Sequence, residues 1–229
     1  MAAPMMKTGS SYSPLTAFAI LGAAYVTCWI DIFLPPGAWG QSLYAWLSFA
    51  AFKNVLRILG LGFIMASWRG FSHYGLEKPA LPSWPGDFVG GVAVGLWLAA
   101  GAGLGAGIAL LGGLDNPLLP ALEGLELKPL SMLTMLAASL ATGYAEEMFF
   151  RFFAPALLED GGIPAPTAGV AAAALFGISH GSQGFFGMAM ALALGLILWS
   201  LRRKGKGIHA LALGHGIYNF CILVLVAGM

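Results

Sequence analysis

The chain has 229 residues, of which 59% are hydrophobic and only 9% charged, with a formal net charge of +1. Ordinary soluble domains carry roughly 25% charged residues, so this balance, with a mean hydropathy of +0.82, argues against a soluble globular fold and leaves no basic surface for nucleic acid. The apolar runs are long and unbroken rather than short and alternating, which argues against a β-barrel and predicts an all-α, polytopic transmembrane helical bundle of about seven membrane helices.

A polar tail (1–14) precedes the first apolar run, 15–34. That run is longer than the apolar part of a signal peptide, so no cleavable leader is expected. Pro14 suits its first turn, Pro35-Pro36 ends it, and Asp31 lies near its far end. The second span, 42–68, carries Lys53, Asn54 and Arg57 in its middle. Lys53 and Arg57 are four apart and share a helix face. The expectation is a spanning helix with both cations turned into the bundle; the alternative is a helix lying in the membrane interface.

A proline-rich loop (69–87) leads to a glycine-rich third helix, 88–111. Its small-xxx-small pairs Gly91/Gly95 and Gly103/Gly107 read as helix-packing positions. After a second loop (112–129), helix 4 begins near Leu130 and ends between Arg151 and Leu158. Helix 5 covers 166–180, helix 6 covers 185–201, and helix 7 runs from Gly207 to the C-terminus. No repeat or second domain interrupts this, so 1–229 reads as a single membrane-embedded domain with core helices in 130–229. Cys28 and Cys221 sit in apolar runs and read as inert buried thiols.

Basic residues set the topology. With seven spans, Lys7, Arg69, Lys78, Arg202, Arg203, Lys204 and Lys206 share one side, and only Lys128 lies opposite. The positive-inside rule then predicts a multi-pass protein of the cell (inner) membrane with a cytoplasmic N-terminus.

Three stretches carry polar chemistry inside this scaffold. Ala145-Glu146-Glu147-Met148-Phe149-Phe150-Arg151 puts two carboxylates and a guanidinium into the otherwise uncharged run 131–156. Intramembrane charges are costly and mark functional sites by default. On a helix, Glu147 and Arg151 can pair across one turn, which leaves Glu146 as the candidate general base. Phe176-Gly177-Ile178-Ser179-His180 offers a second proton-handling group, with Phe176 read as packing. His215-Gly216-Ile217-Tyr218-Asn219 puts an imidazole and a carboxamide on one face, able to donate to a developing oxyanion. His73 and His209 lie beside loops and are assigned no role. No GxSxG or HExxH occurs.

Depth tests whether the three can meet. If helix 4 runs to Leu158, Glu146 lies about 18 Å from its end; His180 is about 21 Å along helix 5, and His215 and Asn219 about 12 and 18 Å along helix 7. If helix 4 stopped at Arg151, Glu146 would be only about 8 Å deep and the match with His180 would fail. The reading therefore requires helix 4 to continue through Pro155. It also requires the break after His180 to line a cavity.

Together, Glu146-Glu147-x-x-x-Arg151, Phe176-x-x-x-His180 and His215-x-x-x-Asn219 resemble the three motifs of the CAAX prenyl endopeptidase and bacteriocin-processing (CPBP, or Abi) family of intramembrane proteases. The resemblance covers about 130–220. It implies an intramembrane endopeptidase acting on a membrane-associated protein or peptide in a lipid setting. Glu146 would activate water with help from His180, His215 and Asn219 would form the oxyanion site, and Glu147 and Arg151 would support them. The family has been described as both glutamate-type and metal-dependent. The metal-free reading is preferred, because using Glu146, His180 and His215 as zinc ligands would leave no carboxylate as base. A non-catalytic immunity or scaffold protein is the alternative from another class. A transporter is a third, weakened by the lack of repeats. Substrate and oligomeric state are not legible.

Overall fold

The computed structural model describes residues 12–29, 42–76, 85–114, 122 and 126–228. Among these, all regular structure is helical. In chain order the helices are α1 (Pro14–Trp29), α2 (Leu43–Trp68), α3 (Gly86–Gly112), α4 (129–160), α5 (Ala165–Ile178), α6 (Gly184–Arg203) and α7 (Ile208–Ala227), with 3₁₀ turns at Phe71–Tyr74 and Gly181–Gln183. Asp31, Lys7, Lys78 and the far end of the first expected helix lie outside the described residues.

Among the described residues, four helices are long and apolar enough to cross a membrane: α2, α3, α6 with the turn before it, and α7. Ser42 starts α2 by accepting a hydrogen bond from the Ala45 amide at 3.2 Å, a side-chain cap for an otherwise unpaired donor. With 26 residues, α2 is about 39 Å long. This favours the spanning expectation over an interfacial helix.

Helix α4 occupies the middle of the bundle, packed on α2 along one side and α7 along another. It is regular over Pro129–Glu147, widens into a π-helical stretch at Met148–Phe153, and resumes over Ala154–Asp160. Pro155 explains the wide turn. It has no N–H, and its ring would strike the carbonyl four residues back, that of Arg151; a π turn relieves this without ending the helix. The continuation past Arg151 that the depth argument required is therefore present. All six residues of the wide stretch are buried. Phe149 and Phe150 meet Trp29 of α1, with ring centroids 5.7 and 5.1 Å away.

Helices α2 and α4 run parallel. Tyr44 reaches Glu126 just before α4, Asn54 meets Thr142, and Gly62 faces Met148, so contacts ascend together along both chains. Glycines govern how closely α7 approaches its neighbours. A Cβ on Gly214 would lie 2.5 Å from the Gly91 carbonyl oxygen of α3. One on Gly143 of α4 would lie 2.6 Å from the Ala212 carbonyl oxygen. Gly91 and Gly95 thus serve the packing role expected of them. Gly103 and Gly107 do not: among the described residues, no atom outside their own helix backbone lies within 4 Å of a Cβ placed there.

At one end, the last turns of α2, α4 and α6 are tied together. Asp160 is 3.0 Å from His73 Nε2 and 3.8 Å from Arg69 Nε, and Arg202 donates to the Tyr74 carbonyl at 3.5 Å. The Tyr12 hydroxyl, just before α1, donates to the Leu157 carbonyl at 3.1 Å. Alternating helices require these ends to share a side. His73 therefore has a structural partner, as does His209, whose Nδ1 lies 3.0 Å from the Tyr144 hydroxyl. Cys221 departs from expectation: it is exposed, because it lies on the outer flank of α7, while Cys28 is half-buried.

Candidate active site

Glu146 and Glu147 are consecutive on the buried centre of α4, and the helix turn sends them to different neighbours. Glu147 is fully buried, 0% exposed. Its Oε2 lies 3.3 Å from Arg151 Nε one turn on, as the spacing predicted. Its Oε1 accepts from His215 Nδ1 at 2.8 Å, a contact that sequence spacing could not reveal. Arg151 has no hydrogen-bonded nitrogen among the described residues. It is held by the ion pair and by the face of Phe176, 4.5 Å from the guanidinium carbon, and both interactions gain from exclusion of water.

Glu146 turns the other way and lines a cavity of about 670 Å³. Its Oε2 has no hydrogen-bond partner among the described residues, but it lies 3.5 Å from His215 Nε2. A single imidazole therefore stands between the two carboxylates, hydrogen-bonded to one and facing the other. With Nδ1–H donating to Glu147, Nε2 can donate to an oxyanion only when both ring nitrogens carry protons. The neutral ring pictured from sequence cannot do this in the observed arrangement.

His180 sits where α5 ends, and the chain turns back through Gly181–Gln183 into α6. Its Nδ1 lies 2.8 Å from the Phe176 carbonyl oxygen. A carbonyl only accepts, so Nδ1 carries a proton, and in the neutral ring Nε2 then keeps its lone pair. The Ser179 hydroxyl donates to the same carbonyl at 2.7 Å. Ser179, His180, Ser182 and Gln183 all line the cavity, so the helix break does border it.

His215 and Asn219, one turn apart on α7, line that cavity together with Glu146 and His180. The four residues taken as catalytic from sequence thus share one space. Glu147 and Arg151 lie behind it as a sealed support. Among the described residues no three His, Cys, Asp or Glu side chains converge as a metal ion would require, Glu146, His180 and His215 included. No step below passes through a metal.

Phe176 packs as expected, buried in the core, and its ring lies 4.6 Å from His180, 5.9 Å from His215 (centroid to centroid) and 4.5 Å from the Arg151 guanidinium carbon. It is the apolar hub that all three motifs touch. Its spacing of four from His180 was the available signal. Lys53, Asn54 and Arg57 of α2 line the same cavity. Both cations do turn inward, and both feel the charge of Glu146. Asn54 donates to Thr142 of α4 at 2.8 Å and accepts from Arg57 at 2.7 Å.

Residues 128–221 match the model of a family described as Type II CAAX prenyl endopeptidase Rce1-like. No curated protein and no solved structure gives a match. The matched stretch contains Glu146, Glu147, Arg151, Phe176, His180, His215 and Asn219, so the motifs and the family model identify the same part of the chain. Over this stretch the chain is similar to the Type II CAAX prenyl endopeptidase Rce1-like family.

Proposed function

We propose that the protein is an endopeptidase that cleaves a membrane-associated protein or peptide with a water molecule activated by Glu146. One observation carries this reading. Glu146 presents an unpartnered carboxylate oxygen to a cavity shared with His180, His215 and Asn219. A water there needs acceptors for its protons, and Glu146 with the bare Nε2 of His180 supplies two. Glu146 removes one proton as the water oxygen attacks the peptide carbonyl. The resulting oxyanion accepts from the Asn219 carboxamide, and also from His215 Nε2–H when that ring carries both protons. Glu146 then gives its proton to the departing amine, and the C–N bond breaks. Glu147 fixes the orientation of His215 throughout, and Arg151 balances the charge of Glu147.

The family description suggests a prenylated peptide as the first substrate to try. The purified protein in liposomes is expected to cleave it, with both fragments seen by mass spectrometry. The Glu146→Gln variant, inserted and melting normally, is expected to leave it intact. Cleavage by that variant at the wild-type rate would overturn the reading.

On orientation we propose that the end joining α2, α4 and α6 faces the cytoplasm of a cell membrane. Arg69, Arg202, Arg203, Lys204 and Lys206 gather there, as the positive-inside rule requires. Reactivity of a cysteine placed at Lys204 toward a membrane-impermeant thiol reagent tests this. It should be silent in intact cells and appear on permeabilisation.

A further inference from the structure

The cavity beside Glu146 lies to one side of it. Helices α2 and α4 run toward the end that carries the basic loops, and their lining residues stop at Arg57 and Glu146. Helices α3 and α7 run the other way, and their lining begins only at Leu98 and His215. The remaining two helices that run away from the basic end follow the same rule: α1 contributes only its last residue, Trp29, and α5 nothing before Phe176. Helix α6 forms a side wall from Gln183 to Leu198. From Glu146 the lining continues away from the basic loops, through Ala50 and Leu47 on α2, to Leu223 on α7 and to Leu110 and Leu114 at the end of α3. Glu146, Arg57 and His215 thus stand at the closed end of the cavity.

The way from the basic end is plugged. Phe149, Phe150, Phe152 and Phe153 follow Glu146 on α4 and are at most 2% exposed. Tyr74 stacks on Phe153 with ring centroids 6.0 Å apart, and the Arg202 guanidinium carbon lies 4.3 Å from the ring centroid of Phe152. Ala154 and Leu157 continue the buried packing, and Asp160 ties its far end to His73 and Arg69. The opposite direction differs in both openness and polarity. Leu110 is 85% exposed. Lys53, Asn54, Ser139, Thr142, Ser182 and Gln183 line the cavity on that side of Glu146. Polar groups inside a membrane span face a wet space or one another, and a hydrolase consumes one water at every turnover.

We propose that Glu146 is served from the membrane face opposite the basic loops, so that its substrate is a polypeptide segment presented at the extracytoplasmic surface. This rests on the endopeptidase reading and on the orientation given above. A segment held at the cytoplasmic surface would have to part four buried phenyl rings and carry its peptide groups through them without hydrogen bonds, which is costly. A segment entering between the first turns of α2 and the last turns of α3 and α7 passes Lys53, Asn54 and Thr142 before it reaches Glu146. Water follows the same polar side.

Sealed membrane vesicles of both orientations test this, in a protein carrying Cys28→Ala and Cys221→Ala. Three further single variants are compared: Ala50→Cys in the cavity, Ala154→Cys in the plug and Lys204→Cys in the basic loop. Each meets an anionic, membrane-impermeant methanethiosulfonate. Ala50→Cys is expected to react only from the face opposite Lys204→Cys, and Ala154→Cys from neither face. Ala106→Cys, on the α3 wall of the same cavity, repeats the measurement where Ala50→Cys melts below wild type. A prenylated peptide with a charged tag stays on the side to which it is added. It is expected to be cleaved by right-side-out vesicles and left intact by inverted ones, with the difference lost in detergent. Reaction of the cavity cysteine from the Lys204→Cys face, or from neither face, overturns the route, as does equal cleavage by both kinds of vesicle. Reaction of Lys204→Cys in right-side-out vesicles overturns the orientation and with it the extracytoplasmic substrate. One-sided labelling of the cavity in a protein that cleaves nothing even in detergent supports the route and removes the endopeptidase reading.

Discussion

His215 Nδ1 lies 2.8 Å from Glu147 Oε1, and Nε2 of the same ring lies 3.5 Å from Glu146 Oε2. Two adjacent glutamates of α4 therefore meet opposite edges of one imidazole on α7. The arrangement gives the doublet a division of labour. Glu147 is sealed between Arg151 and His215 and fixes the ring, while Glu146 keeps an oxygen toward the cavity. Asn219, one turn beyond His215, then faces the same space without needing a protonation change to donate.

Removing one member of the sealed pair should be structurally expensive. Breaking a buried ion pair from one side costs about 3–5 kcal/mol, because the other charge is left uncompensated. Glu147→Leu should therefore lower the melting temperature in detergent sharply. Glu147→Gln with Arg151→Met should recover much of the loss without restoring full activity, since His215 then lacks its carboxylate. Thermal melting and peptide cleavage on the same preparations check both halves.

Phe176 should matter for rate more than for folding. Phe176→Leu keeps an apolar side chain but removes the flat surface against which His180, His215 and Arg151 rest. Small displacements of catalytic groups can cost about a hundredfold in rate. The expected result is a fall in kcat of about ten- to a hundredfold, with KM nearly unchanged. A kcat equal to wild type would show that the ring only fills space.

The closest helix approach should tolerate no added bulk. A Cβ on Gly214 would sit 2.5 Å from the Gly91 carbonyl oxygen and 2.6 Å from Val94 Cβ. These are α3 backbone and stem atoms, which cannot swing aside. Overpacking of this kind costs typically about 1–3 kcal/mol. Gly214→Ala should lower the melting temperature, whereas Gly103→Ala, where nothing lies within 4 Å, should leave it within experimental error or slightly raised.

The proposed glutamate mechanism needs no metal, so cleavage is expected to survive exhaustive chelation. Loss of activity on chelation with recovery on adding zinc alone would contradict it.

Much of this was legible because membrane charge is scarce. Against apolar background, Glu146, Glu147, Arg151, His180, His215 and Asn219 stood out, and the helix count and boundaries followed from hydropathy. The Glu147–Arg151 pair was readable from helical spacing alone. The Glu147–His215 bond was not, because the residues are 68 positions apart and spacing rules act only within a helix. The wide turn at Met148–Phe153 was hidden because a proline usually signals a helix end. That Phe176 packs was legible from its apolar helix, and the core bears it out; that its ring touches Arg151 and His215 was not, because those residues lie on other helices. The inward turn of Lys53 and Arg57 followed from the cost of burying charge, but their shared cavity with Glu146 required the parallel packing of α2 on α4.

The central claim is that Glu146, rather than its neighbour, performs the chemistry. The most direct measurement is the cleavage rate of a folded, liposome-inserted Glu146→Gln protein against wild type on one prenylated peptide under single-turnover conditions. Loss of a general base should slow the reaction by about 10²–10⁴-fold, with the melting temperature and peptide affinity retained. A rate within a few fold of wild type in a normally melting Glu146→Gln protein would contradict the account.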